Sequence, residues 1–258
     1  MLYSTHTEMK NILLINKKEG ETPLEAMEVF RSKNKKYKDV KMTYAGRLDP
    51  MASGLLLVLV GGEVHNKEKY LQLDKEYEFQ VLFGFATDTY DILGRVEHSH
   101  ILENVEMLEK GIKGNLKHFK GKFIQKYPLY SSKTVKGKQL FEYGREGVDV
   151  EIPERGVVVK KLNFVGLKKI TSKKLLTNIE KRIKKVNGDF RQAEILKIWH
   201  KNLGSSNYTF YIAKFQIKCG SGTYVRSIAN SLGEKMNIPA LAFSIKRTKV
   251  GKWSNIYK

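Results

Sequence analysis

A single carboxylate, Asp49, stands in the stretch Tyr44-Ala45-Gly46-Arg47-Leu48-Asp49-Pro50-Met51-Ala52-Ser53-Gly54-Leu55-Leu56-Leu57-Val58-Leu59. It lies between a glycine-containing turn and an apolar run with the character of a buried strand. A carboxylate in such a place can act as a nucleophile or an electrostatic stabiliser without metal or cofactor. It can also do no more than cap a turn, which Asp followed by Pro commonly does. A nucleophilic carboxylate must be ionised, and an adjacent cation favours that form. Arg226 follows Gly222-Thr223-Tyr224-Val225, where a strand gives way to a helix. That junction suits a guanidinium aimed into a cleft, with a surface salt bridge as the plainer reading. Tyr77 sits in an alternating segment, where by itself it reads as a half-exposed strand aromatic.

The elements that must position these residues can be read in outline. Asn11–Asn16 is a short apolar run that predicts a strand. Thr22-Pro23-Leu24-Glu25 predicts a helix start, with Thr as N-cap, Pro at the first helical position and Glu closing a capping box. Residues 31–41 form a Lys-rich connector, and Leu55–Val60 is a strand. Alternation runs from Lys75 to Phe85, followed by a polar loop over 86–94. A helix is expected over 103–119, a long and partly ordered loop over 121–150, and a strand over Val157–Phe164. One or two basic helices fill 171–200. The clearest strand is Tyr208–Cys219, with Tyr211, Ala213, Phe215, Ile217 and Cys219 on one side and Lys214, Gln216 and Lys218 on the other. A helix over 223–237 follows. No internal repeat and no Pro-, Gly- or Ser-rich linker divides the chain, so one domain is expected.

Composition narrows the chemistry. In 258 residues, Lys plus Arg outnumber Asp plus Glu by 47 to 27, a formal charge of +20. Such an excess attracts polyanions, with nucleic acid first and an anionic membrane surface second. The one cysteine, Cys219, excludes an internal disulfide and any Cys-based metal site. Placed among apolar neighbours, it reads as a small core residue. The six histidines show no ligand spacing beyond His98-x-His100, which the pattern places in a polar loop. No metal and no nucleotide cofactor is therefore expected. The segment Met1–Lys10 lacks an apolar core of signal-peptide length. The longest apolar run, Leu55–Val60, is far too short to cross a bilayer. The expectation is a soluble cytoplasmic protein.

Five segments together resemble one family. The Gly-Arg-Leu-Asp-Pro motif around Asp49, with Gly54-Leu55-Leu56 after it, is similar to the catalytic motif of the TruB family of pseudouridine synthases. Asn16-Lys17-Lys18-Glu19-Gly20 resembles the family's N-terminal turn, with Lys18 where Pro is usual. Lys75-Glu76-Tyr77, Gly84 and Thr87–Gly94 resemble the strand bearing the active-site Tyr and the loop after it. Gln125–Ser131, Val135–Lys138 and Arg145-Glu146-Gly147 resemble an RNA-gripping thumb. Cys219–Ile228 with Leu232-Gly233 resembles the last catalytic motif. The resemblance spans residues 11 to about 250.

It implies an α+β pseudouridine synthase fold: a mixed, mostly antiparallel sheet with flanking helices and a central RNA-binding cleft. It implies isomerisation of uridine 55 in the T loop of tRNA, by a monomer needing no cofactor, membrane or protein partner. Catalytic roles fall on Asp49, on Tyr77 as the residue stacking on the uracil, and on Arg226 as the cation paired to Asp49. Substrate contacts fall on Tyr44, Arg47, Tyr224, Lys17 and Lys138. Lys126, Lys133 and Lys136 are further phosphate candidates, although any one of these lysines alone could be a solvated charge.

This chain departs from the family pattern at several points. Tyr44 replaces a His that helps push the target base out of its loop, and Ser231 replaces an Asp. Residues 165–205 are longer than the family's loop and carry eleven Lys/Arg against three Asp/Glu, a net of +8. Only Lys252–Lys258 follow Gly251, so the PUA domain usual in bacterial members is expected to be absent. Two rival readings are an rRNA-type pseudouridine synthase, where Gly-Arg-Leu-Asp also occurs, and a non-catalytic tRNA-binding or tRNA-folding protein on the same scaffold. Pro50 and the thumb and Gly-Thr-Tyr-Val-Arg segments argue against the first. The intact Asp49, Tyr77 and Arg226 argue against the second.

Overall fold

The computed structural model describes residues 10–254 apart from 103 and 206; most of the Met1–Lys10 segment and the last residues of the chain lie outside it. Alternation places the first strand, β1 (Ile12–Lys17), which buries Leu13, Ile15 and Lys17 and exposes the residues between them. The predicted capping box opens α1 (Pro23–Lys33). The Thr22 hydroxyl accepts from the Glu25 amide at 3.2 Å, and the Glu25 carboxylate accepts from the Thr22 amide at 2.7 Å. Asp49 lies in the turn between β2 (Met42–Tyr44) and β3 (Ala52–Val60). Then come α2 (Lys67–Leu71), β4 (Lys75–Phe83), β5 (Phe85–Thr87), β6 (Val96–Ser99) and α3 (Val105–Asn115). The chain continues through β7 (Gly121–Lys126), β8 (Thr134–Val135), β9 (Lys138–Gln139), α4 (Leu140–Glu146) and β10 (Glu154–Thr171). It ends with α5 (Ser172–Ile183), α6 (Gln192–Leu203), β11 (Thr209–Cys219), α7 (Val225–Met236), β12 (Ala240–Val250) and β13 (Trp253–Ser254).

Among the described residues nine strands form one sheet in the order β1-β3-β12-β4-β11-β10-β7, with β2 on β3 and β13 on β12. All pairs are antiparallel except β12 with β3. This is the mixed, mostly antiparallel sheet that the resemblance implies. The predicted faces of β11 hold: Tyr211, Ala213, Phe215, Ile217 and Cys219 enter a core with α3 and α7. At the other end of the strand, Phe210 and Ile212 are buried on the opposite face beneath α5 and α6.

Four expectations need correction. Residues 121–150 are not a partly ordered loop: they hold β7, the β8–β9 hairpin and α4. The strand expected over Val157–Phe164 extends over Glu154–Thr171. Bulges between Val159 and Lys161 and between Phe164 and Gly166 break its period of two, so the alternation stops being visible while the pairing continues. No element is expected over residues 238–250, yet β12 is a central strand between β3 and β4. Its first half is apolar and buried; in its second half Arg247 meets the cleft, Lys246 is exposed and Lys249 pairs with Glu76. His98 lies on β6 and not in a loop.

The basic segment 165–205 is more than a solvated face. Leu175, Ile179 and Ile183 of α5 and Ile195, Trp199 and Leu203 of α6 recur every fourth residue and are all buried together. Each such side chain stabilises by about 1.5–3 kcal/mol, so these apolar stripes, and not the lysines, hold the helix pair on the sheet. Among the described residues no helix is long and apolar enough to cross a membrane.

Candidate active site

The turn carrying Asp49 is held from behind. The Gly20 amide donates to the Pro50 carbonyl at 2.9 Å, and the Ala52 amide to the Asp49 carbonyl at 3.0 Å. Lys17 is fully buried, and its ammonium donates to the carbonyls of Ala52 at 2.6 Å, Lys18 at 2.9 Å and Pro50 at 3.4 Å. Lys17 therefore cannot grip a phosphate, contrary to expectation; it ties the N-terminal turn to the Asp49 turn. Burial pulls its pKa down to about 8, against the opposing pull of Glu21, Asp49 and Glu19. From the other side comes Arg247 of β12, also buried. It donates to the carbonyls of Leu55 at 2.7 Å, Gly46 at 3.1 Å and Arg47 at 3.4 Å. Gly54 has φ of +104°, and a side chain there would collide with the Arg247 backbone. Glycine at this position lets β12 lie close against β3.

Arg226 is the second residue of α7 and only 3% exposed. Its Nε donates to Asp49 Oδ2 at 2.8 Å. Its two terminal nitrogens donate to the carbonyls of Thr89 and Tyr130, each at 2.8 Å. A cation at a helix N-terminus opposes the helix dipole, so these acceptors are what make the position tenable. Burial works against the charge, but Asp49 and Asp91 outweigh it and hold Arg226 above its ordinary pKa. The pair joins four segments far apart in sequence: the Asp49 turn, the loop after β5, the thumb and α7. Arg226 is thus neither on the surface nor in an exposed salt bridge.

The loop after β5 is anchored at two points. Trp199 of α6 donates from its indole to the Ile92 carbonyl at 3.1 Å, and the Ala242 amide donates to the Tyr90 carbonyl at 2.9 Å. Asp91 is buried there, and its Oδ1 accepts from the Thr89 hydroxyl and the Leu93 amide, both at 2.9 Å. Burial pushes its carboxyl up to about 6, while Arg226 pulls the other way. Tyr77, on β4, is partly exposed to a cleft of about 1040 Å³ that it shares with Asp49 and Arg226. Burial of the phenol pushes Tyr77 up to about 12, with the Arg247 guanidinium beside it pulling down. The phenol is therefore protonated at neutral pH.

The structure brings most of the predicted residues together. Tyr44, Arg47, Asp49, Tyr77, Tyr224 and Arg226 all line the cleft. Tyr44 accepts a hydrogen bond from Arg47 at 3.4 Å, and the Lys67 ammonium lies 5.5 Å from its ring centre. The Tyr224 amide donates to the Gln125 side chain at 2.8 Å, and the Gln125 amide group donates back to the Tyr224 carbonyl at 3.1 Å. Lys138 does not join them. It sits on β9, ion-paired to Glu146 and 5.1 Å from the Tyr143 ring centre, where it stiffens the thumb. Sequence reasoning missed Arg247, Asp91, Tyr130 and Arg191. Asp91 lies in a quoted motif and Tyr130 in the thumb, but Arg247 and Arg191 are single cations in lysine-rich stretches with no spacing signal. Among the described residues no group of His, Cys, Asp or Glu could hold a metal.

Known proteins resemble this chain in sequence and in fold. A family model described as TruB family pseudouridylate synthase (N terminal domain) matches residues 33–181. The chain is 30% identical to tRNA pseudouridine synthase B of Caldicellulosiruptor saccharolyticus, over 94% of this chain and 68% of that protein. It is 32% identical to tRNA pseudouridine synthase B of Protochlamydia amoebophila, over 95% of this chain and 76% of that one. Among solved structures, a Cbf5-Nop10-Gar1 complex matches with TM-score 0.54 and an archaeal box H/ACA sRNP Nop10-Cbf5 complex with 0.52, each at 16% identity over 95% of this chain. This chain spans about half the length of those two, and the likeness bears on fold alone. The sheet, the motifs and a family model covering more than half of the sequence agree: the chain belongs to the TruB family of pseudouridylate synthases.

Proposed function

We propose that this protein isomerises uridine to pseudouridine at position 55 in the T loop of tRNA, with Asp49, Arg226 and Tyr77 as its catalytic residues. The observation that carries the assignment is the buried Arg226. All three of its nitrogens are committed, and they fix one carboxylate, Asp49, on the wall of a cleft that Tyr77 shares.

The reaction breaks the bond from ribose carbon 1′ to N1, turns the uracil and joins carbon 1′ to carbon 5. The carbon 5 proton leaves and N1 gains one, so atoms balance without any co-reactant. Asp49 supplies the negative charge or nucleophile at the sugar. Tyr77, held as the neutral phenol, supplies a stacking surface worth about 1–3 kcal/mol per base, which keeps the released uracil from escaping. The uridine must first leave its stack, at a cost of a few kcal/mol. Tyr44 and Arg47 stand at the cleft for that step, and Tyr44 takes the place of the family's usual His. A net charge of +20 suits the polyanionic substrate. We read the catalytic unit as one domain, since Tyr44 and Tyr77 lie on strands of one sheet and the Asp49 turn and α7 adjoin its strands β3 and β11.

The test is to incubate purified protein with unmodified tRNA transcripts and map pseudouridine. Conversion at position 55, and its loss in a transcript lacking the T loop, is expected. No conversion, or conversion confined to an rRNA fragment, would overturn the assignment.

A further inference from the structure

The segment 165–205, where this chain departs from the family pattern, reaches the cleft with Phe190 and Arg191, and Arg191 bonds to two of the loops that build the site. Arg191 lies just before α6 in a left-handed conformation, φ 61°. A non-glycine residue held there carries strain of order 1 kcal/mol and persists only where its surroundings demand it. Its Nη1 donates to Asp88 Oδ2 at 2.8 Å and to the Tyr130 hydroxyl at 2.7 Å. Its guanidinium lies 4.4 Å from the Tyr130 ring centre. The Arg191 side chain is largely buried in this arrangement, at 14% exposure, and so is Asp88, at 13%.

Both partners adjoin the acceptors of Arg226. That residue places its terminal nitrogens on two backbone carbonyls, those of Thr89 and Tyr130. Thr89 follows Asp88 directly, and Tyr130 is the residue whose ring and hydroxyl Arg191 holds. The two loops that receive Arg226 are thus tied to each other by a second arginine. The thumb is secured further: the Tyr130 hydroxyl donates to the Gly144 carbonyl at 2.9 Å, and Arg145 donates to the Asp189 carbonyl at 2.8 Å. Both Arg191 bonds leave from Nη1, and Arg191 also lines the cleft, so bracing and a direct RNA contact are the two roles the test must separate.

We propose that Arg191 is a positioning residue for the isomerisation: it braces the loop after β5 against the thumb, and so fixes Arg226 beside Asp49. The inference rests on reading the Asp49–Arg226 pair as the reactive centre. It also gives the basic segment a role other than holding tRNA phosphates, since its contribution at the cleft is geometric.

The test uses the full chain and a tRNA transcript carrying tritium at carbon 5 of uridine, with single-turnover rates measured against tRNA concentration. Wild-type protein is assayed first; an inactive wild type would overturn the functional assignment itself. Arg191→Met keeps the stem but removes both hydrogen bonds. It is expected to lower the saturating rate roughly tenfold, the equivalent of one missing charge-assisted hydrogen bond, and to leave the half-saturating tRNA concentration within about twofold. Tyr130→Phe is expected to lower the same rate, and the loss in the double variant to fall well short of the product of the two single losses, because both break the Arg191–Tyr130 link. Lys201→Ser, at an exposed position of α6, is the control and should leave the rate unchanged. A normal rate with weakened tRNA affinity would overturn the inference in favour of an RNA contact. Independent, multiplying effects of the two substitutions would overturn it as well. If Arg191→Met does not fold, Tyr130→Phe decides alone: a wild-type rate in that variant would refute the link.

Discussion

Replacing Arg226 by Lys conserves charge and removes geometry, so it isolates what the buried guanidinium does. Arg226 reaches three acceptors in three directions, Asp49 Oδ2 and the carbonyls of Thr89 and Tyr130, each at 2.8 Å. An ammonium is a point donor and cannot span that fork. Leaving two acceptors without partners in a buried site costs about 1–3 kcal/mol each, so the variant should lose about 2–6 kcal/mol of stability and yet fold. The missing charge-assisted hydrogen bond to Asp49 is worth about 1.5–3 kcal/mol. At about 1.4 kcal/mol per decade this alone slows the reaction ten- to hundredfold if it is realised in the transition state. Misplacement of Asp49 adds to it, and the expected loss is roughly a hundredfold or more. The assay is tritium release from carbon 5 in a single turnover with saturating tRNA, beside filter binding and a thermal melt. Binding should stay within about threefold, since Arg226 is 3% exposed and offers RNA almost no surface. A rate within about threefold of wild type in a folded protein would refute the reasoning, because one donor would then suffice where three are bound.

Other consequences can be checked in the same way. Asp49→Asn should abolish isomerisation while tRNA affinity stays close to wild type; turnover like that of wild type by this variant would remove Asp49 from the chemistry. Asp91 is raised by burial to about 6 from an ordinary 3.8, with Arg226 opposing, so between those values the folded chain binds a proton that the unfolded chain does not. Its contribution to stability is full below the unfolded value and falls as pH rises through about 6. Asp91→Asn keeps an oxygen to accept from Thr89 and Leu93, so it should melt higher than wild type at pH 7.5, by at most about 3 kcal/mol, with the gap closing near pH 4. A gap that does not change with pH would contradict this. Changing the exposed Lys181, Lys184 and Lys185 to Ser should weaken tRNA binding and flatten its salt dependence by about 0.7–0.9 for every phosphate no longer neutralised, with the saturating rate unchanged. An unaltered slope would deny this face an RNA role. Arg182 must be left in place, because it is buried and bonded to Glu19 at 2.6 Å.

The amino-acid sequence alone singled out three residues that the fold brings to one cleft. Asp49, Tyr77 and Arg226 each sit in a local motif, and the order of five such motifs marks the family. The sequence also determined the faces of β11 and the start of α1, since alternation and capping involve neighbours a few residues apart. Tertiary structure decided whatever depended on distant backbone. Lys17 could be a surface cation or a buried strut, and it became a strut because the carbonyls of Pro50 and Ala52 lie over it. Arg247 and Arg191 carry no periodic signal, and each takes its role from acceptors contributed by distant segments. In the second half of β12, Arg247 turns to a cleft that exists only once distant segments have come together, while Lys246 is exposed and Lys249 pairs with Glu76. Hydrophobic pattern reports which side of an element avoids water. Which carbonyl a buried cation will find is set only when separate elements pack, and here that packing fixes the Asp49–Arg226 geometry.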